Sequence, residues 1–199
     1  MNATVLAGLM TFAFVTTVTP GPNNLMLMAS GANFGFKRTL PHMLGIMVGV
    51  SVMVLIVGGG LMALFDAYPI LNTLLQAVSI AYLLWLAWKV ANAAPLKARD
   101  ETGTPMTFLQ AAAFQWVNPK AWAMCLSAIT LYAPDHTLLS VVLVASVFAL
   151  VSFPAISVWA WLGLVVRQWL TSPRRYRVFN IAMAALLVAS LYPVLGLNG

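Results

Sequence analysis

Thr19-Pro20-Gly21-Pro22-Asn23-Asn24 and Gln115-Trp116-Val117-Asn118-Pro119-Lys120 are two proline breaks, each set inside a stretch otherwise apolar enough to span a bilayer. A break at membrane depth frees backbone hydrogen-bonding groups where no water replaces them. It is tolerated only where protein or a wet cavity surrounds it. Paired interruptions in corresponding places of two halves are the sequence pointer to a transporter's binding site.

The rest of the chain fits that frame. Of its 199 residues 62% are hydrophobic and only 7% charged, against about 25% charged in soluble domains. Charge-free stretches predict transmembrane helices near residues 4–30, 40–64, 69–91, 107–132, 138–164 and 177–197. Each is long enough for a hydrocarbon core of roughly 30 Å. The runs are continuously apolar rather than alternating, which excludes a transmembrane β-barrel. The fold class predicted is an all-α membrane protein in a single domain over residues 1–199. No positive residue precedes the first apolar run and no small-residue cleavage site ends it, so that helix is expected to be retained.

The net charge of +6 is placed by topology rather than for nucleic acid. Lys37 and Arg38 follow the first stretch. Lys97 and Arg99 follow the third, with Lys89 near its end. Arg167, Arg174, Arg175 and Arg177 follow the fifth. The opposite ends carry Asp66 and Asp135 without lysine or arginine. The positive-inside rule then places those three loops in the cytoplasm and both termini outside.

The polar loop 95–103 separates halves of about 1–94 and 104–199, each with three spans. Three spans per half imply opposite insertion, hence two inverted repeats, with helices one and four broken by proline. Gly45 and Gly49 form a small-xxx-small pair, followed by Gly58-Gly59-Gly60. Such glycines let helices approach closely, within one chain or across a homodimer. Tyr68, Trp88, Trp169 and Tyr192 fall near span ends as an interfacial belt.

At the breaks, Asn118-Pro119 reads as an N-cap followed by a first-turn proline. Thr19-Pro20 and Gly21-Pro22 offer the same start. At about 1.5 Å per residue, Pro119 lies about 18 Å from a helix beginning near residue 107, close to mid-bilayer. Two half-helix N-termini meeting there expose N–H groups and partial positive charge, a site suited to a carboxylate. Lys120 has the wrong sign for its own helix end and costs about 2.5–3.5 kcal/mol at a span's centre. Both are explained if an anionic group visits. Asn23, Asn24, Gln115 and Asn118 add neutral hydrogen bonds, and Trp116 and Trp122 are candidates to line the cavity. Thr16, Thr17 and Thr19 are expected to bond their own helix backbone. No acid lies within a span, so the candidate coupling groups are Lys120, His42 and Asp66. No metal cluster, phosphate loop or cofactor motif is visible. The lone Cys125 cannot form an intramolecular disulfide.

The run Thr19 to Asn24 resembles the signature of the lysine exporter / homoserine–threonine exporter family of bacterial amino-acid efflux proteins. Gly35-Phe36-Lys37-Arg38, Ala81-Tyr82-Leu83-Leu84-Trp85-Leu86-Ala87-Trp88-Lys89 and Asn118-Pro119-Lys120-Ala121 extend the resemblance over the whole chain. The doubled asparagine and the Leu-Ala-Trp-Lys ending look most like the cysteine and O-acetylserine exporter branch. The resemblance implies a multi-pass exporter of amino acids or their derivatives in the bacterial cytoplasmic membrane, driven by an ion gradient, usually protons, and not an enzyme. It places the functional segments on Pro20, Gly21, Pro22, Asn23, Asn118, Pro119 and Lys120. No anionic pocket for basic substrates is visible in the spans, which favours a neutral, zwitterionic substrate. Other readings stay open: an exporter of another solute such as a cation or thiol metabolite, a membrane-embedded enzyme, or an assembly subunit.

Overall fold

The computed structural model describes residues 3–93 and 104–191, for Met62 and Asp66 the backbone alone. Every regular element among them is helical. Helix α1 (Ala3–Val18) and α2 (Pro22–Phe34) form one rod bent by 57° at the first break. Gly35, at φ 80°, ends α2 and begins α3 (Phe36–Ile56). A widened π-type turn, Val57–Leu61, leads into the short α4 (Met62–Ala67). Helix α5 (Ile70–Ala91) follows. The second broken rod is α6 (Phe108–Phe114), a 3-10 turn (Gln115–Val117) and α7 (Pro119–Tyr132). Helices α8 (Leu138–Arg167) and α9 (Pro173–Ala189) complete the chain.

Three helices are each long and apolar enough to cross a membrane: Phe36–Leu61, Ile70–Ala91 and Leu138–Arg167. The bent α1–α2 pair makes a fourth. The other two predicted stretches do not qualify as single helices among the described residues. The α6–α7 rod is divided at Asn118 into pieces of 7 and 14 residues, and α9 has 17. The predicted loop 95–103 and the belt residue Tyr192 lie outside the described residues. Tyr68, Trp88 and Trp169 are exposed at helix ends, as a belt requires.

Some boundaries move for local reasons. Helix α9 begins before residue 177 because Ser172 caps it, accepting from the Arg175 N–H (3.3 Å), with Pro173 in the first turn. Arg174, Arg175 and Arg177 therefore lie on the helix, not in the loop before it. Of the glycine run, only Gly58 meets neighbours, the side chains of Val141 and Ile129. Gly59 has open space, and Gly60 turns the chain at φ 109°. That left-handed turn, which only glycine adopts without strain, sets the α3–α4 kink. At the start of α8, Thr137 caps by accepting from the Ser140 N–H, and Asp135 accepts from the Ser140 and Thr137 hydroxyls. The Ser140 hydroxyl, first among these bonds, holds the Asp135 carboxyl below its ordinary range. A lowered folded-state pKa stabilises above the unfolded value, so the Asp135 contribution, though not the Thr137 cap itself, is lost as pH falls through that lowered pKa.

Packing buries Gly21, Pro22, Asn24, Gln115 and Asn118 at the breaks, while Thr19 and Pro20 stay exposed. Helix α8 lies against α1, α2 and α3; α3 also lies against α6, and α5 against α9. Glycines allow the closest approaches. Gly31 of α2 faces the Ala160 backbone of α8, and Gly163 of α8 faces the Met28 backbone of α2. Gly45 and Gly49 of α3 meet Phe108, Ala111 and Ala112 of α6, so this small-residue pair is engaged within the chain. Leu74, Val78, Leu84 and Trp85 of α5 and Leu150 and Trp161 of α8 remain exposed, an apolar outer surface of the kind lipid covers.

Candidate functional site

The first break leaves the carbonyls at the end of α1 without helical partners, because Pro20 and Pro22 have no N–H. Side chains from three other helices satisfy them. The Thr19 hydroxyl donates to Thr16 O (3.0 Å). Asn24 Nδ2, from α2, donates to Thr17 O and Thr19 O, both at 2.7 Å. Trp159 Nε1, from α8, donates to Val18 O (2.9 Å). Lys120 Nζ, from α7, donates to Thr19 O (2.6 Å), Thr19 Oγ1 (2.9 Å) and Pro20 O (3.3 Å). Every carbonyl from 16 to 20 thus has a side-chain donor. Thr16 bonds its own helix through Phe12 O (2.7 Å) as expected. Thr17 does not, and its hydroxyl is buried without a partner.

The second break has the predicted local form. Asn118 caps α7, accepting from the Lys120 N–H (3.2 Å), and Pro119 opens the helix. Gln115 is fully buried. It exchanges two hydrogen bonds with Asn23 across the site: Asn23 Nδ2 donates to Gln115 Oε1 (2.8 Å), and Gln115 Nε2 to Asn23 Oδ1 (3.1 Å). Gln115 Nε2 also donates to Ala111 O (2.9 Å). The amides hold the two broken rods to each other.

The two breaks therefore converge. Pro20, Gly21, Pro22, Asn23 and Asn24 from one rod meet Gln115, Asn118, Pro119 and Lys120 from the other. Gly21 allows the lysine stem to cross the first break: a Cβ there would lie 2.7 Å from Lys120 Cδ. The ammonium rests on the carbonyl end of α1, where a cation has the favourable sign. Its position in the first turn of α7 is thus compensated by another helix. The two half-helix starts differ: α7 is capped by Asn118, whereas α2 has no side-chain cap.

Between the breaks is a cavity of about 20 Å³, lined among others by Thr17, Asn24, Asn118, Lys120 and Ser152. It has room for about one water. Thr17 Oγ1 and Asn24 Oδ1 are buried without partners at its wall. The site is closed to an amino acid in this conformation.

Other expected residues lie elsewhere. Trp116 and Trp122 do not line this cavity. They stack edge to face at 6.0 Å, Trp122 meets Phe65 at 5.2 Å, and its Nε1 donates to Trp116 O. Their indoles are held by aromatic packing with each other and with Phe65. The tryptophan at the break is Trp159, which no local signal in the sequence marks out, and Ser152 is equally unannounced. His42 is buried on α3 beside a different cavity. Asp66 is on α4, and its side chain lies outside the described residues. Among the described residues no group of three histidine, cysteine or acidic side chains could hold a metal.

A double-mutant cycle on Asn23→Ala and Gln115→Ala should show coupling. Each single change removes both hydrogen bonds between the rods, at about 0.5–1.5 kcal/mol per bond. The double change should cost less than the sum by about 1 kcal/mol or more. Additive losses of thermal stability would show that the amide pair does not join the rods.

A multi-pass helical chain with two converging broken rods has the build of a translocator, and the chain belongs to a family of them. Residues 14–190 match the LysE type translocator family, which makes this a membrane translocator and not an enzyme. It is 31% identical over 191 residues to the cysteine/O-acetylserine efflux protein of Escherichia coli (strain K12), covering 94% of this chain and 96% of that one. The cysteine/O-acetylserine efflux protein of Shigella sonnei (strain Ss046) is similar to the same extent. No solved structure matches the chain.

Proposed function

We propose that this protein is a secondary active exporter of small neutral amino acids or their derivatives, of the cysteine and O-acetylserine kind, across the bacterial cytoplasmic membrane. The observation that carries the reading is the meeting of the two breaks through Lys120 and the Asn23–Gln115 pair. The efflux function in the names of relatives covering nearly the whole chain supports the substrate class.

Six spans arranged as two inverted repeats account for the helix packing. Exchanging the halves maps the first rod onto α6–α7, α3 onto α8 and α5 onto α9. Contact of the first rod with α8 then corresponds to contact of α6–α7 with α3. Contact of α2 with α9 corresponds to contact of the 115–117 turn with α5. The α3–α8 and α5–α9 pairs map onto themselves, and all these contacts are present. Lys37 and Arg38 in the first turn of α3, and Arg167 through Arg177 around the α8–α9 turn, support a cytoplasmic position for that end and both termini outside.

In this reading the substrate carboxylate binds at the uncapped start of α2 and at the Lys120 ammonium, which exchanges its carbonyl partners for the ligand. That exchange releases the end of α1 and permits alternating access. Coupling to protons follows from the family resemblance, with Lys120 as the titratable group at the breaks.

Counterflow in proteoliposomes tests this. Labelled O-acetylserine or cysteine should exchange against unlabelled solute, lysine should not, and a pH gradient should drive net movement. Absence of exchange with any neutral amino acid, or a preference for lysine, would overturn the proposal.

A further inference from the structure

We infer that the cavity between α2, α3 and α5 is a second binding site for a small zwitterionic amino acid, anchored by His42 and separate from the helix breaks. The choice of ligand class rests on the proposed export of neutral amino acids; the site itself rests on the geometry below.

His42 is 1% exposed, and neither ring nitrogen has a hydrogen-bond partner. Its polar neighbours are satisfied. The Ser30 and Thr39 hydroxyls pair at 2.9 Å. Asn33 donates to Ala29 O (2.6 Å) and accepts from the Tyr176 hydroxyl. The imidazole alone is left with one donor and one acceptor to fill when neutral. A buried polar group in that condition calls for a ligand or ordered water.

The space beside it is large enough for either. His42 lines a cavity of about 150 Å³, a volume of the size that admits benzene in an engineered protein core, about 150 Å³. The cavity between the breaks holds only about 20 Å³. Met26 and Leu86 supply apolar wall. Lys89 stands at the exposed rim, its ammonium 4.6 Å from the centre of the Trp85 ring. No carboxylate is among the described lining residues.

That set of groups selects among solutes. A fixed cation at the rim takes a carboxylate. The imidazole, whose ring nitrogens are covered in this conformation, would offer an N–H and a lone pair to the ligand's polar side chain or ammonium after a small turn of the ring. A metal ion would meet one imidazole and a lysine, with no carboxylate, thiolate or second imidazole among the described lining residues. The cavity lies at the positively charged end, near Arg38 and the start of α6, so it would load solute before the breaks receive it.

Thiol protection tests the inference. A T104C variant in a C125A background puts an alkylatable thiol on the cavity wall, since Thr104 is exposed there and Cys125 is buried elsewhere. With O-acetylserine titrated to about ten times its Kd, N-ethylmaleimide labelling should slow by about tenfold, following the 1 + [L]/Kd relation. Lysine and added salt should give no protection. His42→Phe, which fills the cavity, should remove the protection; Ala29→Leu fills it from α2 and serves if His42→Phe does not insert. Lys120→Met should keep the protection while losing export. Protection that is absent, or unchanged by both filling variants, would show a water-filled vestibule only and overturn the inference. Export surviving Lys120→Met would instead remove the lysine from the break site and leave the His42 result standing.

Discussion

Replacing Lys120 by methionine should abolish efflux while the protein stays folded and inserted. Methionine keeps most of the stem that crosses Gly21 and removes the ammonium that meets Thr19 and Pro20. Thr19 O keeps its bond from Asn24, so one carbonyl, Pro20 O, loses its donor. That loss costs about 1–3 kcal/mol. It is offset by removing a lysine whose insertion at a span's centre costs about 2.5–3.5 kcal/mol. Stability should therefore change little. Function should not survive, because a charge-assisted bond to the ligand carboxylate is worth about 1.5–3 kcal/mol, or about 10- to 100-fold in affinity. In the proposed mechanism the end of α1 also loses the group whose partner exchange would drive the movement. Initial counterflow rates at matched protein content, with a melting curve of the same preparation, decide it. Full activity in Lys120→Met would exclude the lysine from transport.

The second large effect concerns the seam between α2 and α8. Gly31→Ala and Gly163→Ala should each lower thermal stability by several degrees. In both, the new Cβ meets backbone, not a side chain that can rotate away: Ala160 for Gly31, and Met28 and Ala32 for Gly163. The helices must part along a seam that positions the first break. Overpacking of this kind costs about 1–3 kcal/mol, and in chains of 150–250 residues each kcal/mol shifts the midpoint by about 2–4 °C. Gly59→Ala is the internal control. Nothing lies within 4 Å of its added Cβ, so it should be neutral, or slightly stabilising by the poorer helix propensity of glycine, about 1 kcal/mol. The pair Gly31→Ala and Gly163→Ala should be less than additive, since either alone opens the same seam. Melting of the purified variants in detergent measures all of this. Equal stability of Gly31→Ala and Gly59→Ala would refute the close backbone approach.

What the sequence made legible follows from how local the chemistry is. Proline without an N–H, asparagine as a cap and the apolar runs around them act within a few residues. The breaks at Pro20 and Pro119 and the Asn118 cap were readable for that reason. The partner of Lys120 was not, because Thr19 is 101 residues away. The lysine looked ill-placed for its own helix because the α1 carbonyl end that compensates it comes from the other half of the chain. Trp116 and Trp122 flank the break in sequence, yet they pack on each other, and Trp122 meets Phe65, which comes from the other half of the chain. Glycine is read with the same ambiguity: Gly58 makes room for side chains, while Gly60 changes the chain's direction, and the three letters look alike.

The donors on carbonyls 16 to 20 have a consequence for the idle protein. In a medium without water, a joint can turn only by trading partners, never by dropping them. With nothing bound, Asn24, Trp159 and Lys120 hold these carbonyls, so on the proposed mechanism the unloaded carrier should stay latched. A solute that brings its own carboxylate supplies the exchange and so acts as the key to its own passage. On that mechanism slippage, the futile cycling of an empty carrier, would be suppressed by the same side chains proposed to hold the cargo.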